Sequence, residues 1–112
     1  LGDYAQAINY YEQYLKLAQE IKNPLGRSQA LGNLGSAYYA LGDYAKAIDY
    51  QYQGLVLAHQ IPDPLGESQS LGNLGNISYS IGNYAKAIEY HNQSLALSRK
   101  IGDRLGEGQS LG

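Results

Sequence analysis

The stretch LGDYA occupies residues 41–45, and the same pattern stands forty residues away on either side, as LGDYA at 1–5 and IGNYA at 81–85. Without any gap, residues 1–40 match residues 41–80 at 24 of 40 positions, and residues 41–72 match residues 81–112 at 19 of 32. A gap-free period of roughly 20 to 50 residues is typical of stacked repeat arrays, in which each unit buries its apolar face against its neighbours. The period therefore predicts an array that presents a binding surface.

Each unit contains two helical patterns, which we name helix A and helix B. Asn23-Pro24 and Asp63-Pro64 combine an N-cap residue with proline at the first helical position, and Asp103 aligns with them. We therefore predict helix A at about 24–41 and 64–81, and helix B at about 3–22, 43–61 and 83–101. The helices meet at short turns, which make neighbours antiparallel and the fold all-α. The chain then forms a single array, divided into a helix B over 1–22, helix pairs over 23–61 and 63–101, and a partial helix A over 103–112.

Apolar spacing predicts which helix faces are buried. In helix A, Leu31, Leu34, Tyr38 and Leu41 follow one another at spacings typical of one helix face. In helix B, the main stripe is Ala45, Ile48, Tyr52 and Leu55, and a neighbouring stripe holds Ala47, Ala58 and Ile61. Gly35 and Gly75 lie inside helix A, where we expect them to allow close approach to the alanines at positions 7, 47 and 87 of helix B.

These residues resemble the tetratricopeptide repeat, in a 40-residue form similar to the Leu-Gly-Asn repeats of cell-polarity adaptors and bacterial arrays. The resemblance rests on Leu34-Gly35-x-x-Tyr38, Gly42-Asp43-Tyr44 and Ala47-Ile48, and on their equivalents in the neighbouring units. It implies a right-handed superhelical solenoid of antiparallel helix pairs that acts as a non-catalytic scaffold for a protein or peptide. The chain departs from the family midway along helix B, where an aromatic residue is expected but the later units have Gln51 and His91. Gly54 stands three positions after Gln51, and we expect local fraying of the helix near Gly54.

The resemblance also implies that helix A lines the inner, concave face of the array. The residues that map to this face are Gln29, Asn33, Ser36, Tyr39, Gln69, Asn73, Asn76 and Ser80. One hypothesis is that Asn33, Asn73 and Asn76 hold the backbone of an extended segment, because an amide both donates and accepts hydrogen bonds, with Tyr39 as an apolar flank. The alternative is that these amides cap or cross-link the helices. The strip carries no Lys or Arg, so a site for a C-terminal carboxylate is not expected.

Composition argues against other classes of function. The net charge of −2 and pI of about 5.5 provide no basic field for nucleic acid. No apolar stretch reaches the roughly 20 residues of a membrane span, and the absence of cysteine fits a reducing, cytoplasmic location. His59 and His91 lack partners at metal-binding spacing, and the carboxylates are scattered. We therefore expect no enzyme activity, metal or cofactor.

The two ends of the array leave apolar residues without a covering element. These are Ile8, Tyr11 and Leu15 at one end, and Leu105 and Leu111 at the other. In one interpretation, the chain is part of a longer array. In the other, copies associate head-to-tail, with residues 103–112 of one copy beside residues 3–21 of the next. The second interpretation predicts a homo-oligomer, and self-assembly is the alternative to a peptide-binding function.

Overall fold

The computed structural model describes the backbone of residues 2–111 and the side chains of residues 3–104. In this part of the chain there are five helices and no strand. They are α1 (Gly2–Glu20), α2 (Pro24–Ala40), α3 (Tyr44–Gln60), α4 (Pro64–Ser80) and α5 (Tyr84–Leu111). Each helix packs against the next, and α2 also contacts α4. The structure is therefore an all-α repeat solenoid, in which α2 and α4 are helices of type A and the others begin as type B.

Side-chain caps begin four of these helices. Asn23 and Asp63 each accept a hydrogen bond from the backbone N–H three residues later, at 3.1 and 3.2 Å. Asp43 and Asn83 make the equivalent bond at 3.3 Å. Such a cap satisfies a backbone donor that has no partner within the helix.

Glycine in the left-handed conformation follows the ends of α2 and α4. Gly42 has φ of 84° and Gly82 has φ of 85°, a region that residues with a Cβ seldom adopt. After Gly42, the N–H of Asp43 donates to the carbonyl of Tyr38 at 2.9 Å, which satisfies one of the last carbonyls of α2. The chain therefore reverses within three residues, and successive helices lie antiparallel.

The buried face of α3 follows the neighbouring predicted stripe, with Ala47 and Ala58, and not the stripe of Ala45, Ile48, Tyr52 and Leu55. The fully buried residues are Ala47, Gln51, Gly54 and Ala58, whereas Tyr52 is 55% exposed. Three of these four residues are alanine or glycine, because α2 and α3 approach closely. A Cβ at Gly54 would lie 3.5 Å from the carbonyl oxygen of Ser28, and the Ser28 hydroxyl donates to the Gly54 carbonyl at 3.3 Å. Gly54 is thus a packed contact, and the fraying predicted there has no counterpart in the packing.

The glycines inside helix A face larger partners than predicted. A Cβ at Gly35 would lie 2.7 Å from Cγ of Gln51, and a Cβ at Gly75 would lie 2.7 Å from Nε2 of His91. Each glycine therefore makes room for the residue midway along the following helix B, not for the alanine four residues earlier.

The last helix does not end where the third start signal predicted. In place of a helix over 83–101 and a new one over 103–112, α5 runs unbroken from Tyr84 to Leu111. Proline disfavours the helical conformation in the residue before it, so Pro24 and Pro64 force Asn23 and Asp63 out of the helix. Arg104 stands in the place of those prolines and imposes no such restriction on Asp103. The boundary predicted at 101–103 is therefore wrong.

Candidate functional site

A polar groove runs along the surface between α2 and α4, and we call it the α2–α4 groove. Its volume is about 500 Å³. Its lining includes five residues predicted for the concave face, and the apolar side chains of Leu25 and Leu65 stand near the starts of the two helices. The five are Gln29, Asn33, Ser36, Gln69 and Asn73. The 40-residue period thus brings equivalent residues of two units to opposite sides of one groove.

A smaller pocket of about 90 Å³ adjoins this groove. Ser36, Gln51 and Asn73 line both spaces. The remaining lining of the small pocket includes Tyr39 and Asn76 from the predicted strip. Seven of the eight predicted residues therefore border one continuous surface feature.

Two residues of the predicted strip bind each other at one end of this feature. The hydroxyls of Tyr39 on α2 and Ser80 on α4 are 2.6 Å apart and share a hydrogen bond. They lie at the C-terminal ends of the two helices, so they bridge the groove there. Ser80 thus contacts the groove through Tyr39, and Tyr39 acts as a bridge as well as a flank.

The amides of the three asparagines, Asn33, Asn73 and Asn76, make no hydrogen bond to other described residues. Asn33 and Asn73 line the groove, and Asn76 lines the small pocket. Asn33 and Asn76 are exposed, and Asn73 is half-buried. Within residues 3–104 these amides therefore neither cap nor cross-link the helices, which favours the hypothesis that they serve a ligand.

Sequence reasoning missed Gln51 as a residue of this site. It belongs to α3, yet its side chain extends past Gly35 and lines both the groove and the small pocket. Its Nε2 donates to the carbonyl of Gly32 at 2.9 Å and to the hydroxyl of Ser36 at 3.3 Å. The only sequence signal was a polar residue where the repeat pattern expects an aromatic one.

The groove is nearly uncharged. Asp63 is the one charged residue in its lining, and that carboxylate already caps α4. Across residues 3–104, no three side chains of the metal-binding types are grouped closely enough to hold an ion. None of the helices in the described part of the chain is both long and apolar enough to cross a membrane.

A tyrosine cluster away from the groove holds the first three helices together. The rings of Tyr38 and Tyr50 stack with centroids 5.5 Å apart, and Nζ of Lys46 lies 5.1 Å from the centre of the Tyr38 ring. The Tyr38 hydroxyl donates to Oε1 of Glu12 at 3.4 Å. Desolvation, and then the charge of Glu12, raise the pKa of Tyr38 above its ordinary value. The cluster gives some of the many tyrosines a structural role.

The residues predicted for self-association are only partly at the surface. Ile8, Tyr11 and Leu15 are half-buried. The exposed stripe is instead rotated onto Tyr10, Tyr14 and Leu17 of α1 and onto Ile21, which directly follows the helix. Because α1 packs against α2, the face with Ile8 turns toward the interior, together with the buried Ala18. The side chains of Leu105 and Leu111 lie outside the described residues.

The fold has a counterpart among solved structures. The crystal structure of the TPR domain of Arabidopsis FLU is similar, with a TM-score of 0.81. The two chains are 23% identical, and the match covers 87% of this chain and 82% of that one. At this identity the likeness concerns the fold alone. The comparison with curated proteins finds no match.

Sequence comparison agrees with the structure. The sequence profile of the tetratricopeptide repeat matches residues 1–58 and, in a second register, residues 26–100. These ranges include every described residue that lines the α2–α4 groove. The chain therefore belongs to the tetratricopeptide repeat family, whose members are generally protein–protein interaction modules.

Proposed function

We propose that this chain is a non-catalytic scaffold that binds an extended segment of a partner protein along the α2–α4 groove and the small pocket that adjoins it. The observation that carries the proposal is the set of free amides of Asn33, Asn73 and Asn76. Each offers both a donor and an acceptor to a peptide backbone, whatever the side chains of the segment. The resemblance to repeats that hold peptides in this way points to the same function.

The dimensions of the groove suit a short segment. A helix of 17 residues, such as α2, is about 25 Å long. An extended chain rises about 3.3 Å per residue, so about eight residues would span the length of the helix. Because the groove contains no cation, we expect the segment to be neutral or weakly basic and not acidic.

A variant with all three asparagines replaced by alanine tests the proposal. The probe is a nine-residue peptide selected from a random library displayed on phage. Removing three amides is expected to weaken binding by at least about tenfold, because each neutral hydrogen bond contributes about 1 kcal/mol. The melting temperature should stay within about 2 °C of the wild-type value, because the amides make no hydrogen bond to other residues within 3–104.

A matched control replaces exposed amides outside the groove. The variant Asn9→Ala/Gln13→Ala/Asn92→Ala alters three exposed helix residues that do not line it. It should bind the peptide as the wild type does. Lower stability with unchanged affinity in the groove variant would reject the proposed function and support a structural role for the asparagines.

A second candidate function is self-assembly. One observation favours it: α1 and the residue after its end expose a stripe of Tyr10, Tyr14, Leu17 and Ile21, and α5 exposes Ile88 and Leu95. Exposed apolar stripes of this kind often mark interaction surfaces. Two different stripes at opposite ends of the stack would meet head-to-tail. Light scattering over a concentration series tests this function, and a monomer at the highest concentration would exclude it.

A further inference from the structure

The acceptor oxygen of Gln51 has no partner within the protein. Gln51 is only 1% exposed, and its Oε1 is buried without a hydrogen bond. Rotating the amide by half a turn would not help, because Oε1 would then face the carbonyl oxygen of Gly32, which now accepts from Nε2 at 2.9 Å. The orientation of the amide is therefore determined, and its acceptor stays unsatisfied.

An unsatisfied buried acceptor is costly, and most buried polar groups have a partner. Gln51 lines both the α2–α4 groove and the small pocket beside it. On one side of Oε1 stands Gly32, which also lines the groove and has no side chain to cover the oxygen. A group bound in the groove thus has a short path to this acceptor.

We propose that the part of the α2–α4 groove beside Gly32 is a subsite for a small, uncharged side chain with a hydrogen-bond donor, such as Ser, Thr or Asn, and that Oε1 of Gln51 accepts its hydrogen bond. The inference rests on the proposed peptide-binding function and adds a selective position to it. The space left by the absent side chain of Gly32 leads to this oxygen, since a Cβ there would lie 3.9 Å from it, and such a space suits a small group.

The surroundings favour a neutral donor over a charged one. The lining of the groove includes one charged residue, Asp63, and that carboxylate already caps α4. An ammonium group would lose its hydration here without gaining a carboxylate. A carboxylate would place its oxygens against Oε1, where both partners only accept. A hydroxyl or amide can donate to Oε1 at little cost in desolvation.

The test uses peptides selected on phage that lose binding to the variant Asn33→Ala/Asn73→Ala/Asn76→Ala. These peptides should share Ser, Thr or Asn at one position. In a synthetic pair that differs there by Thr or Val, the wild-type protein should bind the Thr peptide about tenfold more tightly, because Val has the same shape but leaves Oε1 without a donor.

Two protein variants connect this preference to Gln51. Gln51→Met keeps the length of the side chain but removes the acceptor, so it should bind both peptides equally. Gly32→Ala places a methyl group 3.9 Å from Oε1, which is ordinary contact and not a clash. Alanine also favours the helix, so this variant should keep its stability while it covers the oxygen and loses most of the tenfold preference. Gly32→Ala therefore tests the inference even if Gln51→Met does not fold.

A matched control is His91→Met. His91 occupies the position equivalent to Gln51 one unit later, but it is exposed and does not line the groove. This variant should keep the tenfold preference.

Three results would overturn the inference. Equal affinity of the wild type for the Thr and Val peptides would mean that Gln51 only joins α3 to α2. A full tenfold preference in both Gln51→Met and Gly32→Ala would place the donor elsewhere. If no selected peptide depends on the three asparagines, the proposed function fails and this subsite fails with it. The first two results would leave the peptide-binding function intact.

Discussion

At the scale of single residues, pairs of small and large side chains determine how closely the helices approach. Gly35 of α2 faces Gln51 of α3, and Gly75 of α4 faces His91 of α5. The two pairs are forty residues apart and occupy the same place in the repeat. They differ in burial, because Gln51 is enclosed whereas His91 is exposed.

This difference predicts unequal effects of the same substitution. In Gly35→Ala, the new Cβ would lie 2.7–2.9 Å from three atoms of a buried side chain. We expect the free energy of unfolding, measured by chemical denaturation, to fall by about 1–2 kcal/mol, because overpacking outweighs the gain in helix propensity. In Gly75→Ala, the exposed His91 can rotate into solvent, and we expect little change.

Two further variants control this comparison. Gly102→Ala adds a methyl group to the exposed α5 where no atom lies within 4 Å, so it should raise stability by up to about 1 kcal/mol. Gln51→Ala should cost less in the Gly35→Ala background than in the wild type, because the crowded atoms are then absent. Equal losses in Gly35→Ala and Gly75→Ala would show that contact with Gln51 is not the cause.

At the scale of the helices, a proline after the cap decides where a helix A begins. Asn23 and Asp63 precede prolines, adopt extended backbone conformations and cap α2 and α4. Asp103 precedes Arg104, and there the helix continues. The nearby sequence is otherwise almost the same, since residues 63–72 and 103–112 differ only at Pro64/Arg104 and Ser68/Gly108.

Restoring this proline should divide α5. In Arg104→Pro, the new ring removes a backbone donor and disfavours helical geometry at Asp103, with a cost of about 3 kcal/mol in an unbroken helix. We expect α5 to end near Ile101 and a new helix to begin at residue 104. Cα chemical shifts measured by NMR over residues 100–105 would report the break.

The control for this prediction is Arg104→Ala, which removes the same side chain and keeps the N–H. Its shifts should remain helical throughout the segment. Helical shifts at Asp103 in Arg104→Pro would contradict the proposed role of proline and point to Gly108 or to tertiary contacts.

At the scale of the whole molecule, each internal helix has neighbours on two sides, whereas α1 and α5 have an uncovered face. On α1 this face carries Leu17 and is extended by Ile21 just after the helix, and on α5 it carries Ile88 and Leu95. The corresponding residue Leu57 of α3 is half-buried, because α3 packs against both α2 and α4. The exposed stripes on the outer helices thus consist of the same kinds of residue that are packed between helices inside the array.

Self-assembly should depend on these stripes. We expect the molar mass of the isolated chain, measured by light scattering, to rise with concentration. In Leu17→Lys/Ile21→Lys, the same rise should require at least tenfold more protein, because each apolar side chain contributes about 1.5–3 kcal/mol when buried. The control Gln13→Lys/Gln19→Lys adds the same charge to exposed positions of α1 outside the stripe. Equal weakening in both variants would attribute the effect to charge and not to the stripe.

Much of the fold could be predicted from the residues themselves. The period located the units, and Asn23-Pro24, Asp63-Pro64, Gly42 and Gly82 located the internal helix ends to within one or two residues. These signals are reliable because they act over a few bonds: proline restricts the residue before it, a cap reaches three residues along the chain, and a positive φ favours glycine.

The contacts of the candidate site required the tertiary structure. Spacing could not show that α3 buries Gln51 and Gly54 and exposes Tyr52, that Gln51 reaches a groove between two other helices, or that Tyr39 meets Ser80, 41 positions away. These features depend on how each helix is rotated about its axis. That rotation is determined by close packing between units, so residues far apart in the chain decide it together.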